Sequence, residues 1–358
     1  MKISFVLPGV SRVPVGGYKM IFEYANRLCR RGHEITLIFH CFSGMNRNQK
    51  VPKFIKLVYY YLGAHYFPTW FTLDPRIHKI CRHKKLIDSE IPDGDVICAT
   101  AIDTAYAVAE LPASKGEKIY FIQDYENWNG WTDDEVKKSY CLGMKNIVIA
   151  KWLREIVKDA GADSVLIPNG IDFNVFGIDI PISQRRKPVI SMLYHKDEHK
   201  GAKYGIEALN RLKELYPDLQ AILFGTPARP NNLPGWIQYV QNATQNQLRK
   251  IYNQSLIYLC PSIKEGFGLT GAEAMACGAA YVASDYGGVH EYTEEGRNVL
   301  LSAPRDIKGL VNNVSQLLNN DEKRMQIAKN GHQDIKRLNW DNSVMKFEKV
   351  IKKINNYG

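Results

Sequence analysis

The sequence lacks any cysteine pattern that would staple a chain or ligate a metal. Its seven cysteines (Cys29, Cys41, Cys81, Cys98, Cys141, Cys260 and Cys277) are odd in number and scattered, with no C-x-x-C pair. That argues against a disulfide framework and against a zinc site, and reads as buried thiols in a reducing cytoplasm. Long apolar runs are also missing. Ile3 to Val10 is broken by Pro8 and closed by Arg12, too short for a signal h-region. Leu57 to Leu73 is interrupted by His65 and Pro68 and falls short of the roughly 20 residues a span needs, so no transmembrane helix is predicted. The nine histidines include no H-E-x-x-H or comparable ligand spacing. No short-period repeat and no low-complexity tract is present.

What remains is a chain of 358 residues, 45% hydrophobic, long enough for two domains. Strand-like runs alternate with helical patterns: KISFVL, a Gly-containing turn, the helix pattern YKMIFEYANRLCRRG, then HEITLIFH. Ile21, Tyr24, Ala25 and Leu28 share one helical face, and Gly32 stands where a C-terminal cap is expected. DVICAT (95–100), KIYFIQ (118–123), NIVIA (146–150) and SVLIP (164–168) are near-continuously apolar, as strands covered on both faces are. A polar stretch, GIDIPISQRRKP, marks a linker. A second series follows: VISMLYH (189–195), the helix 202–217, LQAILFG (219–225), WIQYV (236–240), LIYLCPS (256–262) and AAYVAS (279–284). The pattern predicts two parallel-sheet α/β domains, with function in the loops after the strands.

Charge is concentrated as well. The net charge is +10, and segment 47–85 holds Arg47, Lys50, Lys53, Lys56, Arg76, Lys79, Arg82, Lys84 and Lys85 against Asp74 alone, nine minus one giving +8. Mixed with Tyr59, Tyr60, Tyr61, Tyr66, Phe67, Trp70 and Phe71, this suits docking on an anionic membrane face; a soluble groove with exposed aromatics is the other reading.

The sharpest feature is KEGFGLTGAEAMACGAAYVASDYGG (264–288), where Glu265 and Glu273 bracket a Gly-containing turn. A helix beginning near Thr270 would aim the N–H groups of Gly268 to Gly271 and its dipole at an anion such as a diphosphate. In isolation Thr270 and Glu273 also fit a T-x-x-E capping box, which would make Glu273 a structural cap. The 25-residue string, however, resembles the donor-binding signature of the group 1 glycosyltransferases (family 4, retaining, GT-B fold), including bacterial transferases that build surface polysaccharides.

The resemblance implies that Glu265 contacts hydroxyls of the transferred sugar and Glu273 the ribose, with Phe267, Gly268, Leu269 and Thr270 lining the donor site. PVGGYKMIFEYANRLCRRGHEITLI (14–38) is similar to the family's first Gly-rich turn, where Gly16 and Gly17 let backbone approach the diphosphate. LIPNGIDFNVF (166–176) is similar to its junction stretch, giving Asn169 and Asp172 a hinge role. SMLYHKDEHKGAKYGIEAL (191–209) aligns Lys200 with the Lys that neutralises the leaving diphosphate, but His195 stands at the family's Arg, and an imidazole lacks the permanent charge and fork of guanidinium. Lys196 next door is the other candidate for that charge. IYFIQDYENW (119–128) places Gln123 and Asp124 where many relatives have a His-Asp pair, leaving Asp124, Glu126 or the departing phosphate to take the acceptor proton. Asp93-Gly94-Asp95 looks like a D-x-D metal motif but precedes a strand, where a turn is expected, and no metal is expected of this fold.

The implied architecture is two Rossmann-like doubly wound domains facing across a cleft: 1–174 on the acceptor side, a linker at 175–188, 189–340 holding the nucleotide sugar, and a terminal helix (341–358) packing back on the first domain. The implied activity is retaining transfer from a nucleotide diphosphate-sugar, with no further cofactor, to a hydroxyl of a glycan or lipid-linked acceptor, on the cytoplasmic side and peripheral to the membrane. No nucleic-acid partner is expected. A nucleotide-sugar 2-epimerase of similar architecture and a non-catalytic sugar-nucleotide or polyanion binder stay open at this point.

Overall fold

The computed structural model describes residues 1–41, 52–127 and 130–355, the side chains of Lys53, Leu57 and Asn355 excepted. Arg47, Lys50 and Trp128, singled out above, lie outside the described residues, as do positions 356–358. The chain forms two compact units, Met1–Pro168 with Asp341–Gly358, and Asn169–Trp340.

In the first unit, seven parallel strands run β1 (Lys2–Leu7), β2 (Glu34–His40), β3 (His78–Arg82), β4 (Val96–Ala99), β5 (Glu117–Ile122), β6 (Lys145–Val148) and β7 (Ser164–Leu166), in the order β3-β2-β1-β4-β5-β6-β7. Between them lie α1 (Gly16–Arg30), α2 (Lys53–Tyr66), α3 (Ile102–Ala109), α4 (Asp133–Ser139) and α5 (Lys151–Asp159). The strands β1, β2 and β4 are buried along almost their whole length because helices cover both sheet faces. Helix α1 stops where Gly32 turns left-handed at φ 91°: its N–H reaches Cys29 O (3.1 Å) and that of His33 reaches Leu28 O (3.1 Å), a Schellman closure.

The second unit repeats the plan with β8 (Val189–Leu193), β9 (Gln220–Gly225), β10 (Ile237–Gln241), β11 (Ile257–Cys260), β12 (Ala280–Ser284) and β13 (Leu300–Ser302), ordered β10-β9-β8-β11-β12-β13, every pair parallel. Its helices are α6 (Ala202–Leu215), α7 (Gln245–Gln254), α8 (Leu269–Ala276), α9 (Ile307–Leu318) and α10 (Asp321–Ile335). Ile190, Leu209, Leu223, Leu259, Val282 and Val314 centre its core. In both sheets the chain reverses its direction of winding at the first strand, next to β4 in one and β11 in the other. Such switch points, at the carboxyl ends of the strands, are where doubly wound sheets bind ligands.

The stretch 175–188, expected as a linker, is packed into the second unit. Arg185, 5% exposed, donates to Ile180 O (3.1 and 3.0 Å), Tyr252 O (3.3 Å), Ser255 O (3.2 Å) and Cys277 O (2.6 Å). Asp179 pairs with Arg249 of helix α7 at 2.6 Å, a further tie between this stretch and the second unit. Helix α11 (Trp340–Asn355) places Phe347 against Phe5 (6.0 Å between centroids), Tyr24 (5.2 Å) and Phe121 (6.3 Å) of the first unit. There Glu348 is gripped by Arg31 (2.8 and 2.7 Å) and His33 (3.0 Å), and these partners hold its carboxyl down at about 2.

Candidate functional site

The second unit's switch point is built by two loops stitched together. The loop after β8 ends in the short turn Glu198–Lys200, and the loop after β11 runs from Pro261 to Gly268. His199 O accepts the N–H of Ile263 (2.7 Å) and of Lys264 (3.3 Å). Gly201, left-handed at φ 63°, sits so close to Pro261 O that a Cβ there would overlap it. This contact brings Lys200 Nζ to 3.5 Å from Glu265 Oε2.

Glu265 is 6% exposed and accepts the Ser262 hydroxyl on Oε1 at 2.5 Å, so its carboxylate is aimed from both sides. Glu273, 4% exposed, receives Tyr252 OH at 3.4 Å on Oε2. Helix α8 begins at Leu269, one residue before the expected start, because Gly268 is its N-cap at φ 82°, ψ 53°. Thr270 therefore lies inside the helix, and the T-x-x-E capping box is not formed. One expectation needs correcting: the N–H of Gly271 is already taken by Gly268 O (3.1 Å), as is that of Ala272 (3.3 Å). The first-turn donors with no carbonyl behind them in the helix are Leu269 and Thr270, both partly exposed. Phe267 turns its ring inward onto Tyr292, 5.2 Å between centroids, so only its backbone can line the site.

His195 stands in the same loop as Lys200. Its Nδ1 accepts the Asp197 N–H at 3.0 Å, which leaves the neutral ring carrying its hydrogen on Nε2 as a donor. Burial and the neighbouring Lys200 charge lower its pKa, favouring the neutral form. Lys196 is exposed.

In the first unit, Gly16 and Gly17 open helix α1. A Cβ on Gly17 would touch Gln123 Nε2 at 3.3 Å, so the Gly turn after β1 and the loop after β5 lie side by side. Asp124 Oδ1 accepts the Tyr125 N–H at 2.8 Å. Glu126, the other carboxylate expected as a proton acceptor, accepts the N–H of Ile102 at the start of α3 (2.5 Å); burial, with Asp124 and Asp103 adding to it, pushes its pKa up to about 8. At the junction stretch, Asn169 is buried and Asp172 Oδ1 accepts Asn174 N–H at 2.9 Å, an Asx turn.

The D-x-D look-alike is accounted for by structure: Lys115 Nζ pairs with Asp93 at 2.7 Å, and Asp95 Oδ2 accepts the Lys2 N–H at 2.7 Å. Among the described residues no group of three or more His, Cys, Asp or Glu could hold a metal ion, and no helix is long and apolar enough to cross a membrane.

Residues 179–334 match the family model described as Glycosyl transferases group 1. An uncharacterised glycosyltransferase of Methanocaldococcus jannaschii is 29% identical over 124 residues, 35% of this chain and 35% of the relative. The N,N'-diacetylbacillosaminyl-diphospho-undecaprenol alpha-1,3-N-acetylgalactosaminyltransferase of Campylobacter jejuni is 27% identical over 181 residues, 47% of this chain and 46% of the relative. The chain spans between 35% and 53% of the length of such curated relatives. Over the full length, the structure of Anabaena HepE in complex with UDP and glucose superposes with TM-score 0.72 at 18% identity, covering 99% of this chain and 100% of that one, a likeness of fold.

Proposed function

We propose, from the premise that residues 179–334 form a group 1 glycosyl transferase domain in a chain of GT-B fold, that this protein moves a sugar from a nucleoside diphosphate-sugar to a hydroxyl acceptor with retention of configuration. The observation that carries the reading is the convergence of Lys200, Glu265 and the Gly268-capped helix at the carboxyl ends of β8 and β11. A diphosphate at that helix end meets two N–H groups, the helix dipole and a lysine. Glu265 orients the sugar and Glu273 the ribose. In the reaction the bond from the anomeric carbon to the phosphate oxygen breaks as the acceptor oxygen bonds to that carbon from the same face. Lys200 and the Nε2–H of His195, with Lys196, stabilise the charge left on the phosphate, and the acceptor proton passes to Asp124 or to that phosphate. Gly16 and Gly17 offer backbone without a Cβ to a phosphate group.

UDP is the first donor head group to try, because the HepE structure holds it. Calorimetry with UDP, GDP and ADP on wild type, Glu265→Gln and Glu273→Gln tests the reading. Glu265→Gln should bind nucleotide as wild type does while turnover of donor is lost, and Glu273→Gln should bind it at least about tenfold more weakly. Nucleotide affinity unchanged in Glu273→Gln would remove the ribose role. Donor consumed without any acceptor, giving an epimer, would replace transfer with epimerisation.

A lipid-linked acceptor is supported by the name of the Campylobacter relative and by helix α2. Phe54, Val58, Tyr61 and Leu62 form an exposed stripe at helical spacing, Phe54 and Tyr61 each 68% exposed. Flotation with phosphatidylglycerol vesicles, lost in Phe54→Ser/Tyr61→Ser, is the expected outcome; equal flotation of the variant would dismiss this surface.

A further inference from the structure

Beneath the glycine loop lies a row of three buried tyrosines that the proposed chemistry does not use. Tyr281 comes from strand β12, Tyr286 follows that strand, and Tyr292 follows the short turn Gly288–Glu291. All three are at most 5% exposed. Their hydroxyls form a chain: Tyr281 OH to Tyr286 OH is 2.9 Å, Tyr286 OH to Tyr292 OH is 2.9 Å, and Tyr292 OH to Gly268 O is 2.8 Å. The carbonyl at the end can only accept, so Tyr292 must donate to it. Tyr292 then has no proton left for Tyr286, and the whole chain is polarised one way, with Tyr281 donating to Tyr286 and Tyr286 to Tyr292.

The steric fit is equally close. A Cβ at Gly268 would overlap the Tyr286 hydroxyl and lie 2.9 Å from that of Tyr292, and a Cβ at Gly271 would lie 2.5 Å from Tyr281 Cζ and 2.8 Å from Tyr292 OH. Glycines and tyrosines therefore interlock. Gly268 O takes three donors, from Tyr292 and from the N–H groups of Gly271 and Ala272. The plane of the peptide that joins Gly268 to Leu269 is fixed by its carbonyl, and with it the direction of the Leu269 N–H, which belongs to the same peptide.

We propose that the Tyr281–Tyr286–Tyr292 hydroxyl chain is a positioning device for the diphosphate end of the donor: it locks the Gly268–Leu269 peptide so that the first-turn N–H groups of α8 face the anion before it arrives. The inference rests on the donor reading above. The tyrosines touch no substrate and act through Gly268.

Tyr292→Phe keeps the ring on Phe267 and deletes the one hydroxyl that holds the carbonyl. It should weaken binding of UDP, GDP or ADP, whichever binds the wild type, by about three- to tenfold, the effect of one hydrogen bond. Binding of the matching nucleoside, which carries no phosphate, should not change. Because the hydroxyls act in series, Tyr286→Phe/Tyr292→Phe should bind nucleotide as Tyr292→Phe does. Hydrogen exchange on the ligand-free protein is the second measurement: the peptide spanning 265–272 should exchange faster in Tyr292→Phe, with the rest of the second unit unchanged. Equal losses for nucleotide and nucleoside, or unchanged exchange at 265–272, would overturn the proposal. A wild type that binds no nucleoside diphosphate would sink the donor reading and this inference together, whereas wild-type binding retained in full by Tyr292→Phe would sink this inference alone.

Discussion

Lys200→Met tests the site most directly, because charge and fold are separable there. The Lys200 side chain is 28% exposed, and its partner Glu265 keeps the Ser262 hydroxyl if the ammonium is removed. A partly exposed ion pair at 3.5 Å contributes on the order of 1 kcal/mol or less to stability, and methionine retains the apolar stem. The melting temperature should therefore fall by no more than about 4 °C. Transition-state charge is a different matter: a preorganised donor aimed at the leaving phosphate is worth ~3 kcal/mol, and at 1.36 kcal/mol per decade its loss lowers kcat by roughly 150-fold. Lys200→Arg should recover part of that rate, since it restores the charge but on a longer, planar head in place of a compact ammonium. The assay is turnover of labelled donor by wild type and both variants, with melting followed on the same samples. A Lys200→Met rate within about threefold of wild type would refute the electrostatic role, and a rate loss that tracks a large fall in melting temperature would reduce Lys200 to a structural residue.

Three further outcomes follow from buried charge. Arg185→Met removes a donor from the carbonyls of Ile180, Ser255 and Cys277 and one of the two donors to Tyr252 O, and should cost about 3 kcal/mol or more, read from urea midpoints; a shift under about 1 kcal/mol would mean that 175–188 is not pinned by this side chain. Glu348 has its carboxyl pKa lowered by Arg31 and His33 from an ordinary 4.5 to about 2, so its contribution is complete above pH 4.5 and is lost as pH falls to 2; Glu348→Gln should flatten stability over that interval. Glu126 runs the other way. Its folded pKa, raised to about 8 by burial, gives a contribution complete below pH 4.5 and lost as pH rises towards 8, so Glu126→Gln should be more stable than wild type above pH 8, and a variant no more stable there would show that the carboxyl is hydrated.

Most of the fold could be read from the sequence because buried parallel strands leave a continuous apolar trace. VICA of β4 and AYVAS of β12 are buried at every position, and both were visible as runs. The two strands without such a trace, β3 and β13, each lie at one edge of their sheet. HKICR of β3 carries three basic side chains in five residues and β13 is three residues long, so neither shows as an apolar run, whereas the edge strand β7, with no fully buried residue, still reads as SVL. The 175–188 stretch misled for a related reason: its polarity reads as solvent, yet Arg185 is satisfied by carbonyls 67 to 92 residues away in sequence.

The same distinction governs the site and the surface. Glu265, Gly268 and Glu273 were legible because one loop and one helix hold them in sequence order, whereas Ser262, the Gly201–Pro261 contact and the tyrosine chain depend on which backbone comes to lie beneath that loop. Charge is harder still to read from a window. Within segment 47–85, Lys85 pairs with Glu110 (2.7 Å) and Arg82 with Glu90 (3.6 Å), while the pairing of Arg76 with Asp74 (2.8 Å) is already counted in the +8. Glu90 and Glu110 lie outside the window, and subtracting these two charges from +8 leaves +6, a segment still basic. The exposed apolar stripe of α2 lies within this basic segment. The docking proposed for this segment should need both Phe54 and Tyr61 and anionic lipid, and vesicle flotation should weaken as salt rises.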